Sequence, residues 1–335
     1  MPRLPTLDDV NAARARLRGI ALHTPLEPSA ALAEACGATE VRLKREDVQP
    51  TGSFKTRGAH NKVAVVAEGR PEAALVTASS GNHGIAVATA AMRHDMRLTV
   101  LVGRSVSPAK LERLRALETR RITVELTGND TDDAEAEARR RDDAGHAIYI
   151  PPYNDPDVVA GQATVGVEIL EDWPSVDAIV VPIGGGGLIS GIGLWAKALK
   201  PGLRLIGVQP SASPPMYAYF ETASTEPMPI APTLADGVAG NIERTSITWQ
   251  LCRRLVDEVV LVDEEAIADA MRWSLEVPHV LLEGSAVLGV AALRSGAVDV
   301  SGRRVAVVTT GRNVAFDTIL GVLAGAPAGG ADNPG

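Results

Sequence analysis

Aromatic side chains are scarce in this 335-residue chain, which holds three Phe, four Tyr and four Trp, 3% of the sequence. An aromatic beside a bound molecule, Phe54 for example, therefore has few aromatic companions. Cysteine is scarcer still. Cys36 and Cys252 are far apart and form no CxxC pair, which excludes a disulfide framework and a thiolate metal site and fits a reducing cytoplasm. Neither sign of charge dominates: 33 Lys and Arg stand against 41 Asp and Glu, net −8, with the basic residues scattered. Nucleic acid and an anionic membrane are thus not expected as partners. No apolar run is long enough to span a bilayer, and the start, MPRLPTLDDVNAARARLRG, has no continuous apolar segment of a signal peptide, so neither insertion nor export is expected. No repeat of fixed period occurs. What remains is a globular composition, 45% hydrophobic and 22% charged, on a chain long enough for two domains or lobes.

Short apolar runs rich in β-branched residues alternate with longer alanine-rich segments of helical period, the mark of stacked βα units. The pattern predicts strands at 40–44, 74–77, 98–102, 122–126 and 146–150, with helices over 56–67, 82–94, 108–117 and 131–143 between them. A second set has strands at 178–182, 204–209, 259–262 and 304–309, with helices near 157–170, 188–199, 247–255, 264–274 and 285–295. Ser107-Pro108 and Asn129 to Asp133 mark helix starts. A Pro- and Ser-rich connection fills 211–232, and the low-complexity tail over 326–335 is expected to be disordered. This is an α/β chain of two open, twisted, mainly parallel sheets flanked by helices. In such sheets ligands bind at the carboxyl ends of strands.

Three stretches at such ends carry chemistry. In DAIVVPIGGGGLISGIG an apolar strand runs into Gly184, Gly185, Gly186 and Gly187 and then a helix, a backbone cradle suited to a phosphate. The next strand ends in Gln209 instead of the acid that a dinucleotide's ribose wants, and no Walker lysine follows the glycines, so a smaller phosphorylated cofactor fits better. Ser79-Ser80-Gly81-Asn82-His83 again lies between a strand and a helix, where hydroxyls and helix N–H groups suit a carboxylate. An ordinary N-cap is the plainer reading of that loop. In QPTGSFKTRG, Lys55 sits in a run of turn formers; most lysines are solvated, and one that attacks a carbonyl must be partly neutral.

QPTGSFKTRGA, SSGNHG, the GGGG loop and the closing Thr309-Thr310-Gly311-Arg312-Asn313, with KREDVQP, PPYNDPDVVAGQATVGVEI, LADGVA and LLEGSAVLGVAAL between them, run in family order from about His23 to Val314. Together they resemble the fold type II pyridoxal phosphate enzymes, specifically the serine/threonine dehydratase (threonine ammonia-lyase) group. The resemblance implies a tryptophan synthase β-like fold, with a large cofactor-binding lobe from 1–69 and 151–325 and a small lobe inserted over 70–150. It implies pyridoxal 5'-phosphate bound by Lys55, Phe54, Asn82, Gly184 to Gly187, Leu188 and Thr310. Ser79, Ser80, Gly81, Asn82 and His83 are then the substrate's carboxylate loop, with Arg312 and Glu283 as further candidates near the substrate.

The implied reaction removes the hydroxyl and amino groups of a β-hydroxy amino acid, threonine or serine, giving a 2-keto acid and ammonia. Lys55 takes the α-proton. A neutral Thr310 hydroxyl facing the ring nitrogen makes a weaker electron sink than a carboxylate there would. Ser80 matches the opposite-face base of serine racemases, which keeps a serine or aspartate-type racemase open. Arg312 stands where the family has a small residue and keeps open a dehydratase of 3-hydroxyaspartate or a hydroxyectoine-derived acid. QPSASPPM lacks the carboxylates of the family's metal site, so no metal is expected. Nothing after Leu323 has the length of a regulatory domain. A cytoplasmic homodimer or homotetramer acting on a small amino acid is the family expectation. The rival from another class is a non-catalytic nucleotide-binding Rossmann-like protein.

Overall fold

A computed structural model describes residues 3–325; the tail expected to be disordered, 326–335, lies outside the described residues. In chain order the first elements are α1 (Leu7–Arg16), β1 (Leu26–Pro28), α2 (Ala30–Cys36), β2 (Glu40–Arg45), α3 (Lys55–Gly69), β3 (Ala74–Ala78) and α4 (Asn82–Arg93). There follow β4 (Arg97–Val102), α5 (Pro108–Arg115), β5 (Ile122–Leu126), α6 (Thr131–Asp143), β6 (Ile148–Tyr149), α7 (Pro156–Asp172), β7 (Ala178–Pro182) and α8 (Gly187–Leu199). The last are β8 (Arg204–Pro210), α9 (Pro215–Thr222), α10 (Ile247–Leu255), β9 (Glu258–Val262), α11 (Glu264–Glu276), α12 (Leu288–Arg294), β10 (Arg304–Thr309) and α13 (Phe316–Leu323). Among the described residues no helix is long and apolar enough to cross a membrane.

The chain divides into two compact units, Met1–Leu22 with Gln49–Thr164, and His23–Val48 with Val165–Gly335. Residues 49–69, which the resemblance assigns to the large lobe, group here with the sheet of β3 to β6. The reason is packing. Ala59, Val63 and Val66 of α3 join Ile85, Val87 and Ala90 of α4 in one buried cluster, and a helix belongs to the core that covers its apolar face. Close approach seals the fit of α3 to the start of α7. A Cβ on Gly58 would lie 2.4 Å from Gln162 Nε2, and one on Gly161 would lie 2.7 Å from the Arg57 carbonyl oxygen.

The first unit's sheet is four-stranded and parallel, in the order β5-β4-β3-β6. Its central strands LVTA and LTVLV are apolar because both faces are covered, by the α3 and α4 cluster and by Ala134 and Ala138 of α6. The edge strand β5 instead alternates buried and exposed residues.

The second unit carries a six-stranded sheet, β1-β2-β10-β7-β8-β9, parallel except for β1. Valines and isoleucines of β7, β8 and β10 pack on α11 and α12 in its core. The antiparallel β1 escaped the sequence reading because it is three residues long and contains Pro28, which only an edge strand tolerates. Four helices also escaped it. One of them, α1, buries only Val10 and Ala13, so it shows little apolar stripe and is started by a capping box between Thr6 and Asp9.

Candidate active site

The first unit presents Lys55. The turn before it needs Gly52 at φ +77, a conformation costly to side chains with a Cβ, and closes with the Gly52 N–H donating to the Gln49 carbonyl at 2.7 Å. Two buried side chains bolt this turn to residue 22. Gln49 Nε2 donates to the Leu22 carbonyl at 3.0 Å, and Gln49 Oε1 accepts from the Leu22 N–H at 2.9 Å. Arg57, only 1% exposed, donates to that carbonyl and to Thr164 Oγ1, each at 3.1 Å. Lys55 thus becomes the first residue of a rigidly held helix.

The carboxyl end of β6 organises what surrounds it. Lys55 Nζ donates to the Pro152 carbonyl at 3.0 Å, and the His83 ring shares a 2.9 Å hydrogen bond through Nε2 with the Ile150 carbonyl. Burial, reinforced by the Lys55 charge, pushes His83 down to about 3. Its imidazole is therefore neutral near pH 7, and with a carbonyl as partner Nε2 carries the proton. Lys55 Nζ also lies 5.2 Å from the Phe54 ring centroid. Ser53, two residues before Lys55, buries a hydroxyl that no protein group pairs.

Ser79 to His83 turn from β3 into α4 as the sequence pattern expects. Ser79 Oγ accepts from the Gly81 N–H at 3.2 Å, and Asn82 opens the helix without a side-chain cap. The structure brings Phe54, Lys55, the loop Ser79 to His83 and the residues Ile150 to Pro152 together within this unit. Sequence reasoning missed the last of these, although the motif PPYNDP was in view, because a carbonyl oxygen leaves no signature in a side-chain pattern.

The second unit presents the glycine loop. Gly186 is the N-cap of α8 at φ +83 and offers no capping side chain, so the first-turn N–H groups at Gly187 and Leu188 are left for a ligand. A Cβ on Gly186 would lie 3.0 Å from Thr248 Cβ and 3.1 Å from Cys252 Sγ. That cradle suits a phosphate. Burial pushes the Cys252 thiol up to about 12, which makes it a packing residue beneath the loop. Gly184 lies against Val238, whose Cα would be 3.2 Å from an added Cβ.

Thr310 follows β10 and is 4% exposed. The residue before it is locked: Thr309 Oγ1 donates to Asp47 Oδ1 at 2.9 Å, and Arg45 grips that buried carboxylate at 2.9 and 2.8 Å. This clamp was not read from the sequence, since Asp47 and Thr309 meet only because β2 pairs with β10. Glu283 is buried, and its N–H donates to the Gly311 carbonyl at 3.2 Å, which brings it to Thr310. Arg312 is exposed at the end of the same segment.

The family model "Pyridoxal-phosphate dependent enzyme" matches residues 18–311. The L-threonine ammonia-lyase of Thermotoga maritima is 40% identical over 314 residues, 94% of this chain and 77% of that protein. Among solved structures, maize serine racemase superimposes with a TM-score of 0.87 at 30% identity, covering 96% of this chain and 98% of that one. The processed form of threonine deaminase isoform 2 from Solanum lycopersicum gives 0.85 at 28% identity, covering 97% and 95%. With a family match over most of its length and two mainly parallel sheets flanked by helices, the chain belongs to the pyridoxal-phosphate dependent enzymes of fold type II.

Proposed function

We propose that the protein is an ammonia-lyase that converts a β-hydroxy amino acid, L-threonine or L-serine, to a 2-keto acid and ammonia. The observation that carries this reading is Thr310, a buried neutral hydroxyl at the position the family motif gives to the ring nitrogen. Pyridoxal phosphate, when bound, supplies an aldehyde for the substrate's amino group and a ring that draws electrons from its α-carbon. Lys55 would serve the aldehyde, and the N–H groups of Gly184 to Leu188 would serve the phosphate.

The chain's own groups then divide the work. Lys55 would hold the cofactor's aldehyde, and its free amine is the group that would take the α-proton as general base. Hydroxyls and N–H groups of Ser79 to His83 hold the substrate carboxylate, and the neutral His83 ring adds no charge that would compete for it. Thr310 would offer the ring nitrogen a neutral hydroxyl that does not enforce its protonation, a setting that would favour loss of the β-hydroxyl. The departing hydroxyl leaves as water after taking up a proton, and hydrolysis of the remainder gives keto acid and ammonia.

The likeness to the Thermotoga maritima ammonia-lyase supports this reading. Racemisation is the second reading, supported by the likeness to maize serine racemase and resting on Ser80 as the opposite-face base. A cytoplasmic homo-oligomer is part of the same proposal. Purified protein should be yellow, bleach with borohydride and release 2-keto acid from L-serine and L-threonine, with Lys55→Ala abolishing all three. Interconversion of serine isomers without keto acid would instead establish the racemase.

A further inference from the structure

The loop that receives Lys55 is tied down at both ends. Upstream, the Ile150 carbonyl accepts from Thr77 Oγ1 and shares the His83 hydrogen bond, each at 2.9 Å. Pro151 and Pro152 follow, and neither has an N–H with which to fasten the strand end to its neighbours. Downstream stands Asp155. Its Oδ1 accepts from the N–H groups of Asp157 at 2.8 Å and Val158 at 3.1 Å, which caps the start of α7 around Pro156. Its other oxygen, Oδ2, lies 2.7 Å from Lys62 Nζ, which also reaches Asp157 Oδ2 at 3.1 Å.

Lys62 comes seven residues after Lys55, two turns along the same face of α3. One helix face therefore holds this loop twice, through Lys55 at the Pro152 carbonyl, 3.0 Å away, and through Lys62 at Asp155. The second contact is not a solvated surface pair. The side chains of Lys62 and Asp155 are 15% and 14% exposed, so water screens them little. Burial opposes the Lys62 charge, but Asp155 and Asp157 outweigh it and hold the amine above its usual range. Lys62 is thus a fixed ammonium and takes no part in proton transfer.

We infer that Lys62 and Asp155 are positioning residues for the reaction: their ion pair fixes the Pro152 carbonyl against α3, and that carbonyl sets where the Lys55 amine rests when it is not joined to the cofactor. The inference deepens the ammonia-lyase reading and rests on its use of Lys55, but the identity of the substrate does not enter it.

Recombination of apoprotein with pyridoxal phosphate, followed by absorbance as a function of pH, tests this without turnover. Only the neutral amine attacks the aldehyde, and a carbonyl that accepts from the ammonium favours the charged form. Lys62→Met and Asp155→Asn, the latter keeping a capping side chain for α7, should each move the pH midpoint of recombination down by about half a unit or more. Both release the carbonyl. A change of charge alone would move the midpoint up in Lys62→Met and down in Asp155→Asn, so opposite shifts, or none, overturn the inference. In the holoenzyme each should lower kcat about 10-fold with KM within twofold, and Lys62→Arg should restore most of it. The double variant should be no worse than either single one, and losses that add would give the two residues separate roles and overturn the inference as well. Should Lys62→Met fail to fold, the double variant takes its place: its two lost charges offset each other at Lys55, so an unmoved midpoint there refutes the positioning role. The expected midpoints in an enzyme that gives no keto acid from serine or threonine would refute the ammonia-lyase reading and leave the pair assigned. An apoprotein that takes up no pyridoxal phosphate refutes the role of Lys55 and the inference with it.

Discussion

Gly186→Ala tests whether the glycine loop holds the cofactor as proposed. The residue sits at φ +83, where alanine is disfavoured by about 1–2 kcal/mol. The added methyl meets Thr248 Cβ at 3.0 Å and Cys252 Sγ at 3.1 Å. Both belong to α10, so neither yields without moving a helix turn, and another ~1 kcal/mol of crowding is reasonable. If the loop escapes by leaving its cradle conformation, roughly 2 kcal/mol passes into cofactor affinity, about a 30-fold rise in Kd. Reconstitution of apoprotein with pyridoxal phosphate, followed by absorbance, measures it. Cys252→Ala in the same chain should recover part of the loss by opening the Sγ side. Gly202→Ala is the control, because nothing lies within 4 Å of its added Cβ and its φ is ordinary. A Kd for Gly186→Ala within twofold of the parent's, in folded protein, would refute both the cradle and its strain.

The buried pair Lys44 and Glu168 makes a second test. Lys44, 0% exposed, donates to Glu168 Oε2 at 2.6 Å and to the Thr24 carbonyl at 2.7 Å, so Lys44→Met should cost about 3–5 kcal/mol in urea unfolding while Lys44→Met with Glu168→Leu recovers most of it. Acid sensitivity is the third. Burial, with His94 and Arg93 adding to it, pushes His60 down to about 4, and its Nδ1 has no partner. The unfolded chain takes up that proton near pH 6.5, so the stability is intact above 6.5 and falls as pH drops from there toward 4, by roughly 3 kcal/mol for this one group. His60→Gln should flatten that limb of stability against pH, and an unchanged limb would assign the loss elsewhere. Last, Thr310→Val should leave the cofactor bound but slow keto acid release about 10-fold; full activity would remove the hydroxyl from the mechanism.

Much of this protein is local in origin and was legible along the chain. Short apolar runs rich in β-branched residues and alanine-rich runs of helical period located most strands and helices, because a strand buried on both faces has little choice of side chain. Gly184 to Leu188 and Ser79 to His83 announced themselves as strand-to-helix turns, and Lys55 fell at a helix start as its turn formers required. The ordered motifs named the family before any coordinate did.

What stayed hidden depends on chain segments that meet only when the sheets assemble. Asp47 grips Thr309 because β2 and β10 are neighbours, and no spacing rule joins residues 262 apart. Lys44 finds Glu168 across 124 residues. Residues 49–69 belong to the first unit because the α3 and α4 faces bury each other. Sequence fixes what each turn and helix can be, through forces that act over a few residues; which side chains then share a cavity is decided by strand order and packing, which are properties of the whole chain.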